Sequence, residues 1–426
     1  MGKSGDIVET AKRSRVEFVQ LQFVDIQGKV KSMSVHISQL GEAIEEGLGF
    51  DGSSVPGYAR IERSDLVLIP DPKTFRILPW KHEGRSIARL LCDVCLPDGT
   101  PHGGDPRYVL EKALAGARRE GYEFMVGPEV EFYLFKNGRK PFDEGEYLDH
   151  APYDKAEDLR LKLALTLQEI GFLVEKIHHE VNPGQNELDF KYSDALTTAD
   201  NIVLCRQALE ALGEEHGLEV NYGPKPLPEG MGNGLHCHHS LVDTKTGRNL
   251  FYDPSGEYHM SDLARHFMGG ELEHAPALTA LAASVPESYR RLVPGYEAPI
   301  YICWGGPNRS VLIRVPGYEL RKGSGMRFEY RAPDPVCNPY LLFTGILAAG
   351  LDGIKRGLDP GPPMKENVYR LDEEKRKKLG IITLPKSLDD ALDALESDEV
   401  IRKSLGRVMF ENYTRMKREE ALKSSR

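Results

Sequence analysis

Short runs of alternating apolar and polar residues dominate the N-terminal part of the chain. VEFVQLQFV and VKSMSV alternate on either side of the turn residues 25–28, which predicts a β-hairpin. HISQLGEAIEEGLGF changes to helical spacing and ends at glycine, so it predicts a helix. DLVLIPD and SIARLLCDVC predict two further strands. The turn-rich segment LPDGTPHGGDPR follows them, and we place there the end of a small α+β domain over residues 1–103.

Longer helical patterns begin after this boundary. RYVLEKALAGARREG and KAEDLRLKLALTLQEIG have helical spacing, and they alternate with short strands such as EFMVGPEVEFYLF, LDFKY, LHCHHSL and MRFEYRAPD. This order is typical of an antiparallel sheet flanked by helices. The pattern therefore predicts a second, larger domain over residues 104–426 that ends in a charged helical tail.

Composition narrows the class of partner. The net charge of −10 comes from 55 basic and 65 acidic residues with no basic run, which argues against a nucleic-acid partner. No stretch approaches the roughly 20 apolar residues of a membrane span, and the N-terminus lacks the apolar core of a signal peptide. We therefore expect a cytoplasmic protein without a membrane partner. Cys92 and Cys95 form a CxxC pair inside a predicted buried strand, which does not favour a zinc site.

Several predicted strands carry charged residues or histidines two positions apart. GPEVEF, LHCH and RFEYR show this spacing, which places both side chains on one face of a strand. Pro183 and Gly184 force a turn in HHEVNPGQNELDF that would bring Glu180 and Glu187 together. Such an oxygen-rich site favours Mg²⁺ or Mn²⁺, and the repulsion between so many carboxylates predicts two or three ions. The predicted ligands are one histidine with Glu129, Glu131, Glu180, Glu187 and Glu329.

Arginines supply the complementary charge. They crowd near turn residues in RRLVPGYEAP, NRSVLIR and RFEYR. Planar guanidinium groups beside divalent cations suit both a polyphosphate and a carboxylate substrate. The chain contains neither GxxxxGK[ST] nor the protein-kinase motifs, so it would bind ATP with a different fold. These arginines are Arg291, Arg309, Arg314, Arg327 and Arg331.

Taken together, these segments resemble glutamine synthetase of the bacterial and archaeal type I class. The resemblance runs from about residue 16 to residue 410. Its blocks are FDGSSVPGYARIERSDLVLIPD, GPEVEFYLF, HHEVNPGQNELDF, PKPLPEGMGNGLHCHHSL, RRLVPGYEAP, NRSVLIRVP and FEYRAPDPVCNPYLLFTGILAAGLDGI. It implies a β-grasp N-terminal domain and a catalytic domain with a curved antiparallel sheet. It also implies a homo-oligomer of six-membered rings, single or stacked, with active sites between subunits.

The resemblance implies roles for individual residues. One metal would be held by Glu131, Glu180 and Glu187, and the other by Glu129, His236 and Glu329. His239 would face away and be structural. The nucleotide would be bound by Glu175, His238, Ser240, Arg314 and Arg327, with Arg309 and Arg314 on the transferred phosphate. Glutamate would be bound by Glu131, Gly232, Arg291 and Arg331. An ammonium pocket would comprise Asp51 and Ser54 of the neighbouring subunit with Tyr147, Glu180 and Glu297, the last in a flap over the intermediate.

The implied reaction joins glutamate to ammonia in two steps. The glutamate γ-carboxylate attacks the terminal phosphate of ATP, and ammonia then displaces phosphate from γ-glutamyl phosphate. Among the departures from the family pattern, Met231 stands where an asparagine usually helps to close the glutamate site. Met231 leaves open a γ-glutamylamide synthetase that uses a small organic amine. A separate alternative is a catalytically silent, ring-forming regulator.

Overall fold

Two β-sheets organise the chain. The structure, a computed structural model, describes residues 3–81, 83–138, 140–295, 298–317 and 325–424. The strands of the first sheet are β1 (Val16–Val24), β2 (Val30–His36), β3 (Leu48–Asp51), β4 (Asp65–Pro70), β5 (Arg76–Ile77) and β6 (Ser86–Cys95). Those of the second are β7 (Tyr122–Lys136), β8 (Lys140–Pro141), β9 (Val174–His179), β10 (Gln185–Phe190), β11 (Ser193–Asp194), β12 (Glu219–Asn221), β13 (Leu235–Asp243), β14 (Trp304–Gly305), β15 (Ile313–Arg314) and β16 (Phe328–Tyr330).

The first sheet has the strand order β2-β1-β6-β4-β3, and β5 pairs with β6. β1 and β2 form the predicted antiparallel hairpin, in which Val24 lies opposite Val30. β1 runs parallel to β6, and β4 runs antiparallel to both β3 and β6. The hairpin turn uses Gly28, whose φ of 82° is a conformation that glycine adopts without steric cost. Cys92 and Cys95 are buried in β6, as the apolar pattern predicts.

The second sheet is built around β7. Its strand order is β14-β15-β16-β13-β7-β10-β9, and β8, β11 and β12 also pair with β7. Within the described residues its strands pair antiparallel, except that β14 and β15 run parallel. β7 is hydrogen-bonded on both edges and buried along most of its length. Residues that β7 presents to a cavity are therefore held rigidly.

Helices surround both sheets. They are α1 (Lys3–Arg13), α2 (Leu40–Glu46), α3 (Pro106–Arg119), α4 (Glu157–Glu169), α5 (Ala195–Glu215), α6 (Asp262–Glu273), α7 (Ala275–Ala282), α8 (Ser288–Arg291), α9 (Pro339–Arg356), α10 (Glu373–Lys378), α11 (Leu388–Ser397), α12 (Glu399–Leu405) and α13 (Arg407–Ser424). α3 and α5 pack on β7, and α9 packs against α3, α6 and α12. α2 ends at Gly47, whose φ is 77°, as its sequence predicts. None of the helices in the described ranges has both the length and the apolar character needed to cross a bilayer.

One predicted strand is shorter than its sequence pattern indicates. MRFEYRAPD alternates over most of its length, but β16 comprises only Phe328–Tyr330. Its neighbour β15 is only Ile313–Arg314, so few backbone partners are available on that edge. Arg331 still donates its backbone N–H to Leu312, which continues the alignment of the chain beyond the strand.

Candidate active site

Acidic and histidine side chains collect where β7 meets β10, β13 and β16. Residues two apart on one strand share a face, and the register between strands brings those faces together. The opposed pairs are Glu129 with His236, Glu131 with Glu187, and His238 with Glu329. The spacing seen in the sequence thus becomes one continuous polar surface.

The first cluster comprises Glu129, His236 and Glu329, each of which offers a ligand atom within 4.8 Å of the others. His236 Nδ1 lies 3.0 Å from a Glu129 carboxylate oxygen and 3.9 Å from Glu329. Two guanidinium groups, from Arg331 and Arg314, form ion pairs with Glu329. Burial alone would raise the pKa of Glu329, but these arginines outweigh it, and the pKa falls to about 2. This carboxylate is therefore ionised at neutral pH.

The second cluster comprises His178, Glu180 and Glu187, whose ligand atoms also lie within 4.8 Å of one another. His178 Nε2 lies 3.2 Å from Glu187. Burial, followed by the charges of Glu129 and Asp189, raises the pKa of Glu187 well above its ordinary value. A divalent cation here would relieve the repulsion among these carboxylates.

Glu131 lies between the two clusters. Its carboxylate accepts hydrogen bonds from the Gly234 backbone at 2.8 Å and from Gln185 Nε2 at 3.2 Å. It also lies 3.9 Å from His236 Nδ1. Burial raises its pKa to about 7. Each cluster offers carboxylate oxygens and one imidazole, which are metal ligands that suit Mg²⁺ or Mn²⁺. The repulsion between the crowded carboxylates also fits a site that binds such ions.

Two cavities meet at this surface. The first, which we call the carboxylate cavity, has a volume of about 90 Å³. It is lined by the second cluster, by Glu129 and His236 of the first, and by Arg291, Arg309, Arg314, Arg331 and Tyr147. The second, the adjoining cavity, has a volume of about 110 Å³ and is lined by Glu175, His238, Ser240, Arg327, Phe190 and Tyr192, among others. Glu129 and Lys176 line both cavities. One carboxylate thus forms part of the wall between two binding spaces.

The residues predicted to bind nucleotide divide between these cavities. Glu175, His238, Ser240 and Arg327 line the adjoining cavity, whereas Arg314 lines the carboxylate cavity. Arg327 Nε donates to His238 Nδ1 at 3.1 Å, and His238 Nε2 lies 2.7 Å from Glu129. This chain of contacts connects the adjoining cavity to the first cluster.

The loop before β13 closes the carboxylate cavity from one side. Met231 and Gly232 both line it. A Cβ atom at Gly232 would lie 2.3 Å from the Pro224 carbonyl oxygen and 2.7 Å from Arg291 Cγ, so the backbone has no room for a side chain. Arg291 is held in turn by hydrogen bonds to the carbonyl oxygens of Arg331 and Ala332.

Comparison with known proteins identifies the family. Residues 15–97 match the family model for the glutamine synthetase β-grasp domain, and residues 103–426 match that for the glutamine synthetase catalytic domain. The chain belongs to the glutamine synthetase family. Both the family predicted from the sequence and its α+β fold, with a β-grasp N-terminal domain, are thereby confirmed.

Relatives with this family name align over most of their length. The glutamine synthetase of Halobacterium salinarum is 47% identical, over 97% of this chain and 92% of the relative. That of Pyrococcus furiosus is 48% identical, over 96% of this chain and 90% of the relative. Solved structures described as a GmaS/ADP complex and as apo GmaS superpose with TM-scores of 0.90 and 0.89 at 31% and 32% identity. These alignments cover 99% and 98% of this chain and 96% of each solved chain.

Some predicted residues of the glutamine synthetase site lie elsewhere in the described chain. Asp51 is the last residue of β3, and Ser54 ends the short helical turn that follows it. Both lie outside the described lining of the two cavities, and Ser54 donates to Asp51 at 2.7 Å. Asp51 is solvent-exposed, and hydrogen bonds from Ser53 and Ser54 lower its pKa. Tyr147 lies at the rim of the carboxylate cavity with its ring edge-on to His178. Glu297 lies outside the described residues.

The sequence-based prediction missed several residues that line the cavities, and three of them are polar side chains beside the clusters. His178 joins the second cluster, Lys176 forms an ion pair with Asp189, and Gln185 donates to Glu131. His178 and Lys176 precede Glu180 by two and four positions, so the same-face spacing used for GPEVEF would have found both. Gln185 lies two positions before Glu187 on the same face of β10, but an uncharged amide is not part of a pattern of charged residues and histidines.

Proposed function

We propose that the protein ligates ammonia to the γ-carboxylate of glutamate and converts ATP to ADP and phosphate. The observation that carries this proposal is the pair of cavities that meet at Glu129. One holds carboxylate clusters and arginines, and the other is lined by residues expected to bind nucleotide. Within a glutamine synthetase family chain, this arrangement supports ATP-dependent amide formation through γ-glutamyl phosphate.

In the first step the glutamate γ-carboxylate attacks the terminal phosphorus of ATP, and ADP leaves. Arg291 and Arg331 would hold the glutamate carboxylate groups, and Arg309 and Arg314 would neutralise the transferred phosphate. Bound Mg²⁺ or Mn²⁺ would supply further charge neutralisation of the phosphates. The ligands we propose for these ions are Glu129, Glu131, Glu180, Glu187, His236 and Glu329, with the addition of His178.

In the second step ammonium must lose a proton before its nitrogen can attack the acyl phosphate carbon. The carbon–nitrogen bond forms as the bond to phosphate oxygen breaks, and inorganic phosphate leaves. We assign the binding and deprotonation of ammonium to Asp51, with Ser54, Tyr147, Glu180 and Glu297 around it. The lowered pKa of Asp51 keeps it in the anionic form that attracts ammonium. The predicted domain limits, 1–103 and 104–426, assign Asp51 to the N-terminal domain.

The location of Asp51 supports a homo-oligomeric site. Asp51 and Ser54 lie outside the carboxylate cavity of their own chain in the described structure. We propose that a second copy of the chain delivers them. Mixing inactive Asp51→Ala and Arg309→Gln proteins before reassembly should then restore activity at about one quarter of the sites. An intact site needs Arg309 from an Asp51→Ala subunit and Asp51 from an Arg309→Gln subunit beside it. Activity that stays absent after confirmed co-assembly would contradict the shared site.

Met231 gives a specific reason to test a second amine. Its side chain belongs to the loop that lines the carboxylate cavity, and its thioether cannot donate the hydrogen bonds of an asparagine amide. A small organic amine is therefore the second candidate substrate. Its product would be a γ-glutamylamide formed by the same two steps.

The deciding experiment measures phosphate release from ATP with Mg²⁺ and glutamate, comparing ammonium with methylamine, ethylamine and ethanolamine. We expect stimulation by ammonium, and Asp51→Ala should lose amide formation while it retains glutamate-dependent ATP binding. Stimulation by an organic amine alone would assign the second candidate. No phosphate release with any of these amines, from a correctly folded protein, would contradict the ligase proposal and favour a silent regulator. Met231→Asn, which restores the asparagine usual in the family, tests whether this position sets the amine preference.

A further inference from the structure

Lys176 lies at the point where the two cavities of the candidate site meet. Among the described residues, Lys176 and Glu129 line both cavities, whereas each arginine in their linings belongs to only one of the two. Lys176 is thus the cation of the described lining that faces both binding spaces. Its ammonium group lies beside any ligand that extends from one cavity into the other.

The strand register fixes this position. Lys176 on β9 lies opposite Asp189 on β10, which in turn lies opposite Glu129 on β7. Residues directly opposite one another in antiparallel strands share a face of the sheet, so these three side chains form one row across it. The neighbouring row, two residues along each strand, comprises His178, Glu187 and Glu131. Lys176 therefore ends a row of acids that runs beside the second metal-ligand cluster.

Asp189 holds the lysine without enclosing it. Lys176 Nζ forms an ion pair with Asp189, whose side chain is only 7% exposed. The side chain of Lys176 is 53% exposed, so a ligand can reach its ammonium group. The pair joins a buried, rigidly placed carboxylate to an accessible cation.

The ammonium group retains donors for a second anion. It can donate three hydrogen bonds, and in the described contacts Asp189 is its one carboxylate partner within 4.0 Å. Glu129, the other acid of the row, is engaged by His236 at 3.0 Å and by His238 at 2.7 Å. Lysine binds phosphate as a compact point charge on a flexible stem. Lys176 can therefore contact a phosphate while it remains paired with Asp189.

The proposed reaction requires a phosphate at this place. Nucleotide in the adjoining cavity and glutamate in the carboxylate cavity would lead the phosphate chain of ATP past Lys176 and Glu129. Arg309 and Arg314 line only the carboxylate cavity of the two, where the transferred phosphate is expected. Lys176 also lines the nucleotide side, so it lies nearer to the phosphate that remains on ADP. Negative charge develops on that phosphate as ADP leaves.

We propose that Lys176 binds the β-phosphate of the nucleotide and that Asp189 holds it in position. This inference rests on the proposed ligase function and adds to it a cation for the leaving group. The arginines of the carboxylate cavity would neutralise the transferred phosphate, and Lys176 would neutralise the charge left on ADP.

Nucleotide binding tests this role without turnover. Calorimetric titrations of the full-length protein with ADP and with AMP, both in the presence of Mg²⁺, give the two affinities. Lys176→Met should weaken ADP binding by about tenfold, because a charge-assisted hydrogen bond is lost, and should leave AMP binding within about twofold of wild type. Lys162→Met is the matched control: Lys162 is 42% exposed, pairs with Glu215 and lies outside the described lining of both cavities.

The outcomes separate this inference from the ligase proposal. A Lys176→Met protein that binds ADP as tightly as Lys162→Met would overturn the role of Lys176 and leave the ligase proposal intact. An equal loss of ADP and AMP affinity would overturn the β-phosphate contact. A wild-type protein that binds no nucleotide would overturn both proposals.

Asp189→Asn separates contact with phosphate from neutralisation of Asp189. The double variant Lys176→Met/Asp189→Asn should bind ADP about tenfold more weakly than Asp189→Asn alone, because both proteins lack the acid and only one retains the ammonium group. Equal ADP affinities would show that Lys176 serves only to neutralise Asp189, and would overturn the proposal. The same comparison decides the matter if Lys176→Met does not fold, since neither protein contains an unpaired Asp189.

Discussion

The two metal-ligand clusters of the candidate site differ in how their charge is balanced. In the first, Glu329 contacts Arg314 and Arg331, and its pKa is low despite burial. In the second, no lysine or arginine of the described chain lies within 4.0 Å of Glu187, whose pKa is raised by burial and neighbouring acids. The first cluster is therefore anionic and stable by itself, whereas the second needs an external cation to become fully ionised.

The strand order explains this difference. Arg314 lies on β15, and Arg331 is the residue that follows β16, so both arginines are placed beside the first cluster. β9 and β10 contribute carboxylates and His178 to the second, while the ammonium group of Lys176 is engaged by Asp189. Metal affinity and fold stability should therefore respond differently to the same substitution in the two clusters.

The largest effect is expected for Glu329→Gln. This change removes the carboxylate charge that pairs with two buried guanidinium groups, so the metal-free protein should lose about 3–5 kcal/mol in the free energy of unfolding. Urea denaturation in the presence of a chelator measures this loss. The exposed Glu411→Gln variant is the control and should remain within about 0.5 kcal/mol of wild type. A Glu329→Gln protein as stable as this control would show that the arginines do not depend on Glu329.

The same change in the second cluster should have the opposite sign. Glu187→Gln removes a carboxyl group that is unfavourable when ionised, so the metal-free protein should gain about 1–2 kcal/mol or remain unchanged. The stabilisation of the native protein by Mg²⁺ should decrease at the same time, because a ligand has been lost. Denaturation with and without Mg²⁺ gives both quantities. A large loss of metal-free stability would remove the distinction between the clusters.

His178 tests whether the second cluster has an additional metal contact. His178→Asn should weaken Mg²⁺ or Mn²⁺ binding by roughly 10- to 100-fold, the range seen when a group that contacts or orients a ligand is removed. Metal titration monitored by calorimetry measures the change. His216→Asn, at an exposed position, is the matched control. Equal affinities in the two variants would limit His178 to packing against Tyr147.

The two faces of β13 show what the sequence could and could not predict. Alternation alone placed His236 and His238 on one face and His239 on the other, and the structure has His239 among Phe124, Phe267 and Phe328, 2.9 Å from Glu271. Residues that share one strand were therefore predictable from a period of two. The predicted hairpin and the helix that ends at Gly47 followed from similarly local signals.

Contacts between distant segments were not predictable in this way. The ion pairs of Arg107 join residues from the first sheet, α3 and α5, and no periodicity relates these positions. The grouping of His178 and Glu180 with Glu187 and Glu131 depends on the register of β9 against β10 and of β10 against β7. A one-residue slip would change that grouping, and the sequence alone does not specify the register.

The smallest effect concerns proton competition at Glu131. Burial raises its pKa to about 7, whereas an unfolded glutamate has a pKa of about 4.3, so between these values the metal-free native state binds a proton that the unfolded state does not. Its contribution to metal-free stability is therefore lost as the pH rises through about 7.

A metal that needs the ionised carboxylate gains affinity over the same interval. From pH 6 to pH 8 the release of one such proton should raise Mg²⁺ affinity by about tenfold, in addition to any contribution from Glu187. Calorimetric titrations of wild type and Glu131→Gln at both pH values isolate this factor, because the variant cannot release the proton. An identical pH dependence in the two proteins would mean that Glu131 is ionised before the metal binds. Glu187 would then be the carboxyl group with the raised pKa, and the proton released when the metal binds would come from the second cluster.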